Sequence, residues 1–392
     1  MAFPKRFSNL PEYAFPRLRQ LLDAHAPGGP VLHMSIGEPR HPMPAFVGPI
    51  LAANLDGFAT YPPNDGTPEL LAAISGWIKR RYGTDVAENR LMALNGSREG
   101  LFNAALAVAP ETKNGQTPLV LMPNPFYQVY TVAAVTTGAE PHYVPATAQT
   151  GFLPDYAALP AATLDRVTVA YLCSPANPQG AVATRAYWKS LLALAEKHDF
   201  VIFADECYCE IWRTAPPVGI LDVAAEVGAD PERVFAFHSL SKRSNLPGLR
   251  SGFVAGGPQG IARIRKLRAF AGAPLPLPIQ HVSQAAWQDE THVVANRALY
   301  QEKFAIAEQV FSGLQGFQTP DGGFFLWLPV EDGEQAALKL WRQTGVRVLP
   351  GAYLSREVEG ENPGKSYVRV ALVAQKEDMQ RGLIQLRDCL YR

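Results

Sequence analysis

Little in this 392-residue chain points toward a membrane, a nucleic acid or a metal. No uninterrupted apolar run approaches the roughly 20 residues that a membrane-crossing helix needs. Lys plus Arg and Asp plus Glu balance at 36 each, so no net field draws the chain to nucleic acid or to an anionic surface. Any anion it binds must be held by local chemistry. Cysteine is scarce: Cys173, Cys207, Cys209 and Cys389 form no Cys-x-x-Cys pair and follow no secretory leader, which implies a reducing cytoplasm and cysteines used as small core residues. The eight histidines show no zinc-binding spacing. The apolar run ending in Asp205-Glu206 looks like the acidic strand of a nucleotide-binding site, yet no Gly-x-x-x-x-Gly-Lys-Ser/Thr loop exists to complete it. Internal repeats and low-complexity tracts are also lacking.

What is present is a large apolar fraction, 47%, enough for two domains. Short β-branched or aromatic runs occur at Leu119 to Met122, Val167 to Cys173, Phe200 to Ala204, Val234 to Phe237 and Gly252 to Ala255. Between them lie amphipathic stretches such as Tyr187 to His198. Runs this short and apolar predict strands buried on both faces, joined by helical crossovers: an α/β fold with a mostly parallel sheet. From about Ile279 to Gly313 a long helical pattern leads into a strand at Gly323 to Leu328, then helix, strand and helix, predicting a smaller α+β domain. The expected division is an N-terminal arm with part of the small domain at 1–45, a large domain at 46–282 and a C-terminal small domain at 283–392. The first thirty residues, with Pro4, Pro11, Pro16 and Pro27 around one short helical stretch, read as an arm packed on another surface, this chain's own or another subunit's.

Polar residues fall where the predicted strands end, and in open parallel sheets that is where ligands bind. Cys173 is followed by Ser-Pro-Ala-Asn-Pro-Gln-Gly, Ala204 by Asp-Glu-Cys-Tyr, and Phe237 by His-Ser-Leu-Ser-Lys. An asparagine, an aspartate and a lysine therefore converge on one crevice. Lys242 has the company a phosphate-bearing aldehyde would need: an amine to condense with the carbonyl, the Ser239 and Ser241 hydroxyls, and the Arg250 cation. A lone lysine in a polar loop is more often solvated than catalytic, by roughly ten to one; the ordered set around this one reverses those odds. Asp205 at a buried strand end needs a cation, which a protonated pyridine nitrogen would supply. Asn95-Gly96-Ser97-Arg98 opens a helix with Ser97 at the cap, a seat for phosphate on free N–H groups. Tyr127, just past a strand, is placed to stack on a flat ring, although a core aromatic would look the same.

These residues resemble a known family. Ser-Pro-Ala-Asn-Pro-Gln-Gly, Asp-Glu-Cys-Tyr and Ser-Leu-Ser-Lys, with Arg250 eight residues beyond the lysine, are similar in order and spacing to class I/II aminotransferases of the aspartate aminotransferase fold. Gln179 departs from the family's usual threonine. The resemblance implies pyridoxal 5'-phosphate carried by Lys242 as a Schiff base, with Lys242, Asp205 and Tyr208 catalytic. It further implies Asn177 and Tyr208 at the cofactor's phenolic oxygen, Asp205 at its ring nitrogen, and Tyr127 on its face. Ser97, Arg98, Ser239 and Arg250 would surround the phosphate, with Ser241 beside them and Tyr61 reaching in from a partner subunit, so that a homodimer shares its sites. Gly37 and Arg369, with Asn177, would bind the α-carboxylate of an amino acid or 2-oxo acid. Longer phrases, including Asn-Gly-Ser-Arg-Glu-Gly-Leu-Phe and Asp-Glu-Cys-Tyr-Cys-Glu-Ile, resemble succinyldiaminopimelate aminotransferases of lysine biosynthesis, with glutamate as the expected donor. Another amino-acid aminotransferase or a C–S β-lyase on the same fold is the alternative. A sensing module attached to a DNA-binding domain ranks far below, as no basic recognition helix is present. Arg17, Arg40 and Arg243 are candidates for a second substrate carboxylate, although each reads first as a surface or structural cation, and the Ala/Gly/Pro-rich segment 269–278 is placed near the substrate.

Overall fold

All seven residues of Val167–Cys173 are buried, a pattern that only a strand covered on both faces satisfies. The computed structural model, which describes residues 4–392, sets this run in the middle of a seven-stranded sheet. Its strands are Leu91–Leu94 (β1), Leu119–Asn124 (β2), Glu140–Pro145 (β3), Val167–Cys173 (β4), Val201–Asp205 (β5), Val234–Ser239 (β6) and Gly252–Gly256 (β7). The spatial order is β1-β7-β6-β5-β4-β2-β3. β7 runs antiparallel to β1 and β6, and every other pairing is parallel.

The period-two alternation of the strands feeds two separate cores. Ile202 and Ala204 of β5 face a core that also takes Trp77, Trp188 and Trp287. Phe203 faces the other, with Leu101, Tyr130 and Ile261. Helices supply those partners: on the first face Pro68–Tyr82, Arg185–His198 and Leu277–Gln288, on the second Ser97–Val108, Gln128–Thr137 and Pro258–Ala271. Helix Arg185–His198 shows why such segments form. Thr184 caps its start by accepting from the Tyr187 N–H, Asp199 ends it in the left-handed conformation, and Trp188, Leu191, Leu192 and Ala195 line one face.

The smaller part is a three-stranded antiparallel sheet, with Tyr367–Ala371 between Leu349–Pro350 and Phe325–Pro329, packed with helices Gly333–Thr344 and Lys376–Tyr391. Leu32–His33 pairs with Val346–Arg347, so the N-terminal stretch joins this part. Helix Ala14–Leu22 buries Ala14, Leu18 and Leu22 against Trp327, Trp341 and Leu349. The arm thus packs on its own chain. It also holds a second short turn, Lys5–Phe7.

The long helical pattern expected from Ile279 to Gly313 is two helices, Leu277–Gln288 and Thr291–Val310. Asp289 accepts the His292 N–H at 3.0 Å and restarts the helix there. Neither Gly nor Pro marks the break, so periodicity ran through it. No helix among the described residues is long and apolar enough to cross a membrane.

Candidate active site

Strands β4, β5 and β6 end in register, Cys173 opposite Asp205 and Asp205 opposite Phe237, so the residues just beyond them are brought to one edge. A cavity of about 380 Å³ opens there, within the roughly 300–1,000 Å³ typical of small-molecule sites. Asn177, Asp205, Tyr208, Ser239, Ser241 and Lys242 line it from the strand ends. Gly37, Ser97, Arg98, Tyr127, Arg250 and Arg369 reach it from five other segments. Of the residues that the resemblance places at the cofactor and the α-carboxylate, only Tyr61 lies outside; it is 98% exposed.

Three charged groups in this cavity lack the counter-charges that burial demands. Lys242 Nζ donates to the Gly37 carbonyl at 2.6 Å and has no acid within ion-pair reach among the described residues. Burial depresses its pKa to about 8, and the Arg369 and Arg250 cations push the same way. Asp205 accepts from Tyr130 Oη at 2.8 Å and from the Cys207 N–H at 3.4 Å. Burial pushes this carboxyl above the usual carboxylate range, against the pull of the Tyr130 hydrogen bond. Arg369 is 4% exposed. It donates to Asn177 Oδ1 at 3.0 Å and to the Ser35 carbonyl at 2.8 Å, while its Nε is unpaired. Burial lowers its pKa to about 10. The site therefore holds an acid that wants a cation and an arginine that wants an anion.

A fourth charge with no acid in ion-pair reach among the described residues, Arg250, sits at helix Ser97–Val108. Arg250 donates to the carbonyls of Pro247 and Asn95 at 2.9 and 3.1 Å, beside the positive end of the helix. Two like charges converge, an arrangement that a phosphate stabilises. Gly96, at φ +81°, makes the approach possible: a Cβ there would lie 2.4 Å from Arg250 Nη2. Gly96 is also the helix cap, and Ser97 is the first helical residue rather than the cap expected from sequence. Ser239 and Ser241, hydroxyl to hydroxyl at 3.0 Å, face the same cavity. Arg98 instead directs Nε to Tyr127 Oη at 2.7 Å.

Sequence reasoning missed some site residues. Tyr130, three residues after Tyr127 and in the first turn of the helix that Tyr127 precedes, anchors Asp205 and stacks on Tyr171 at 4.3 Å; that spacing was the available signal. Tyr13 and Phe15 of the arm line the cavity mouth, and nothing local marks them. Segment 269–278 is not brought to the site, and Arg17, Arg40 and Arg243 are structural or surface cations. No residue of segment 269–278 lines the cavity. Arg17 pairs with Glu334 and lies over the Tyr353 ring. Arg243 is tied to the Ala286 carbonyl and Glu290, and Arg40 is exposed. None of the three lines the cavity.

The family model for aminotransferase class I and II matches residues 30–385. The chain belongs to that family. Pyridoxal phosphate is therefore the cofactor, and the unpaired Asp205, Arg250 and Lys242 fit its ring nitrogen, phosphate and aldehyde. The fold agrees: an aminotransferase from Neisseria meningitidis superposes with a TM-score of 0.94 at 38% identity, each chain covered completely. An LL-diaminopimelate aminotransferase from Dehalococcoides mccartyi is 30% identical, with 99% of each chain covered. A structure from Thermus thermophilus described as a probable N-succinyldiaminopimelate aminotransferase has a TM-score of 0.84 and 26% identity, covering 96% of this chain and all of its own. The aminotransferase acts on amino acid and 2-oxo acid substrates.

Behind Asp205, Glu206 is buried with Tyr82 Oη at 3.0 Å and the Ile220 N–H at 2.8 Å. Burial raises its pKa to about 7. An acid whose folded pKa is raised is stabilising below its ordinary value, about 4.5, and that contribution is lost as pH climbs through 7. The loss is on the order of 3 kcal/mol. Neighbouring His238, held down to about 3 by burial and by Arg81 and Arg243, works the other way below pH 6.5. The expected result is that the Tm of Glu206→Gln, relative to wild type, rises from about pH 5 to about pH 7 and levels off above that. A flat difference across that window would contradict it.

Proposed function

We propose that this aminotransferase exchanges an amino group between glutamate and the 2-oxo partner of N-succinyl-LL-2,6-diaminopimelate, a step of lysine biosynthesis. Arg369 carries the reading of a 2-amino or 2-oxo acid substrate: a buried guanidinium without an acid, sharing a cavity with the Lys242 amine. A substrate α-carboxylate supplies what it lacks. The diaminopimelate class rests on the phrases noted above and on the relatives from D. mccartyi and T. thermophilus, whose names carry that substrate.

In this reading Asp205, supported by Tyr130, holds the cofactor's ring nitrogen, and Asn177 and Tyr208 face its phenolic oxygen. Tyr127 would cover the ring, while Ser97, Arg98, Ser239, Ser241 and Arg250 would surround the phosphate. When bound, pyridoxal phosphate supplies an electron-withdrawing ring that makes the substrate Cα–H acidic. Lys242 would hold the cofactor's aldehyde carbon, and its Nζ, when free, would take and return the proton at the substrate Cα. An amine pKa near 8 suits both halves of that transfer close to neutral pH. Arg369 and the Gly37 segment orient the carboxylate so that Cα faces Nζ. Arg369→Ala is expected to lower kcat/KM for glutamate about 10- to 100-fold, the loss of one charged hydrogen bond, with cofactor absorbance unchanged. Unaltered kcat/KM in steady-state assays would remove Arg369 from carboxylate binding.

We read residues 46–282 as the cofactor-binding domain, and 1–45 with 283–392 as the arm and small domain. The enzyme is proposed as a homodimer in the cytoplasm. Tyr61, Phe58, Leu55 and Phe270 present large apolar side chains to solvent, a surface that a second subunit would cover and from which Tyr61 would reach the partner's site. All four cysteines are free. The deciding assay gives the reconstituted enzyme glutamate with N-succinyl-2-amino-6-oxoheptanedioate, the free amino-oxo acid, or other 2-oxo acids in turn. The highest kcat/KM with the succinylated acid supports the proposal. Preference for another acceptor moves it elsewhere in the family, and keto acid released from cystathionine without an acceptor marks a lyase.

A further inference from the structure

The stretch from Ser35 to His41 has no strand or helix, yet it delivers two carbonyls to the site. Ser35 O receives Arg369 Nη2, and Gly37 O receives Lys242 Nζ. A free-standing loop would place neither accurately. Its upstream end is tied by backbone bonds, Met34 N–H to Arg347 O at 2.9 Å and Ala371 N–H to Met34 O at 2.7 Å. The tie at the other end is His41.

His41 is buried and uses both ring nitrogens. Lys303 Nζ lies 2.7 Å from Nε2, and Asn296 Oδ1 lies 2.8 Å from Nδ1. An ammonium has only protons to give, so Nε2 accepts and Nδ1 carries the ring proton. Asn296 Oδ1 receives that proton and also the Asn245 amide at 2.9 Å. This turns the Asn296 amide nitrogen toward the carbonyls of Lys242 and Arg243, at 3.4 and 3.5 Å. Hydrogen bonds thus run in one direction, from Lys303 through His41 and Asn296 to the backbone of Lys242. Lys303 is 3% exposed and has no acid within ion-pair reach among the described residues. An amine so placed is costly to bury, and packing alone would favour an apolar side chain. A second line of contact runs beside the first. Tyr300 lies 4.6 Å from the His41 ring and stacks on Phe324, whose ring is 5.3 Å from Lys242 Nζ.

We propose that Lys303, His41 and Asn296 are positioning residues for the Lys242 amine, clamping the Gly37 carbonyl from one side and the Lys242 backbone from the other. The proposal rests on the reading that Lys242 carries the cofactor. It gives the chain a role outside the cavity: the hydrogen-bond direction, and not merely the packing volume at His41, sets how Nζ is aimed.

The test is the rate at which cofactor-free enzyme captures pyridoxal phosphate, followed by the rise of visible absorbance in a stopped-flow instrument. Borohydride reduction and peptide mass then locate the adduct. His41→Leu and Lys303→Met are expected to slow capture about tenfold or more and to lower kcat similarly, in line with the sensitivity of reacting groups to small misplacements, with KM for glutamate within about twofold. His41→Gln can accept from Lys303 through its amide oxygen and donate to Asn296 through its nitrogen, so it is expected to restore most of the capture rate. Capture by His41→Leu at the wild-type rate, or no advantage of glutamine over leucine, overturns the proposal. Where His41→Leu does not fold, Lys303→Met decides by the same criterion. A wild-type adduct on any residue other than Lys242 sinks the reading beneath it, an outcome distinct from unaltered variants.

Discussion

Replacing Lys242 with alanine is expected to cut transamination by at least about 10²- to 10⁴-fold, the usual contribution of a positioned acid–base group, while the protein stays folded. Its amine makes one hydrogen bond, to the Gly37 carbonyl, and no ion pair, so little of the fold depends on it. Burial and the Arg369 and Arg250 cations already hold its pKa near 8. Removing it relieves the cost of burying an amine with no acid partner, and leaves one carbonyl that water entering the cavity can satisfy. The loss therefore falls on chemistry. A melting temperature within a few degrees of wild type, with turnover of glutamate lost and no cofactor recovered on residue 242 after borohydride reduction, is the predicted combination. Turnover within tenfold of wild type would show that another base moves the proton.

Asp205→Ala is expected to separate the cofactor-bound from the cofactor-free protein. With no cation in ion-pair contact, the Asp205 carboxyl is pushed upward by burial and eased by the Tyr130 hydrogen bond, by Cys207 and by the charge of Lys242. An acid with a raised folded pKa costs stability as pH rises past its ordinary range. In the cofactor-free protein, then, the substitution should leave the Tm unchanged or higher at pH 8, even allowing for the small void. In the loaded enzyme the sign should reverse, because on the proposed assignment the carboxylate would pair with a cationic ring nitrogen. The gain in Tm on adding pyridoxal phosphate should shrink, and kcat should fall about 10²- to 10³-fold, comparable to removing a preorganised electrostatic partner of the transition state. Calorimetry of both forms and steady-state rates check this. Near-normal turnover would remove Asp205 from the ring nitrogen.

Much of this site was legible because its residues follow strand ends. A run such as Val167–Cys173 is identified by burial on both faces, and where it stops the chain must turn, exposing Asn177, Asp205 and Lys242 at one edge of the sheet. Arg369 was legible only through the family resemblance; it stands mid-strand in Tyr367–Ala371, where an isolated arginine reads as a surface cation. Tyr130 went unassigned because a tyrosine three residues past Tyr127 is as easily core as ligand. The break between Leu277–Gln288 and Thr291–Val310 escaped because an aspartate restarts the helix without a glycine or proline. The placement of 269–278 near the substrate failed for a related reason. An Ala/Gly/Pro-rich composition marks a connection between helices, here between Pro258–Ala271 and Leu277–Gln288, but carries no information about which surface that connection crosses.

By itself the sequence determined the strand and helix periods, the parallel α/β class and the order of the strand-end residues, since these depend on local patterns and on side chains near one another along the chain. Tertiary structure decided how the charges meet. Gly37, Lys242 and Arg369 are far apart in sequence and come together only when the arm segment packs between both parts of the fold. The partners of His41, namely Lys303 and Asn296, sit more than 250 residues away. Burial, which lowers Lys242 and raises Asp205, is a property of that packing; no local pattern encodes it, because the same side chains in a solvated loop would keep their ordinary charge.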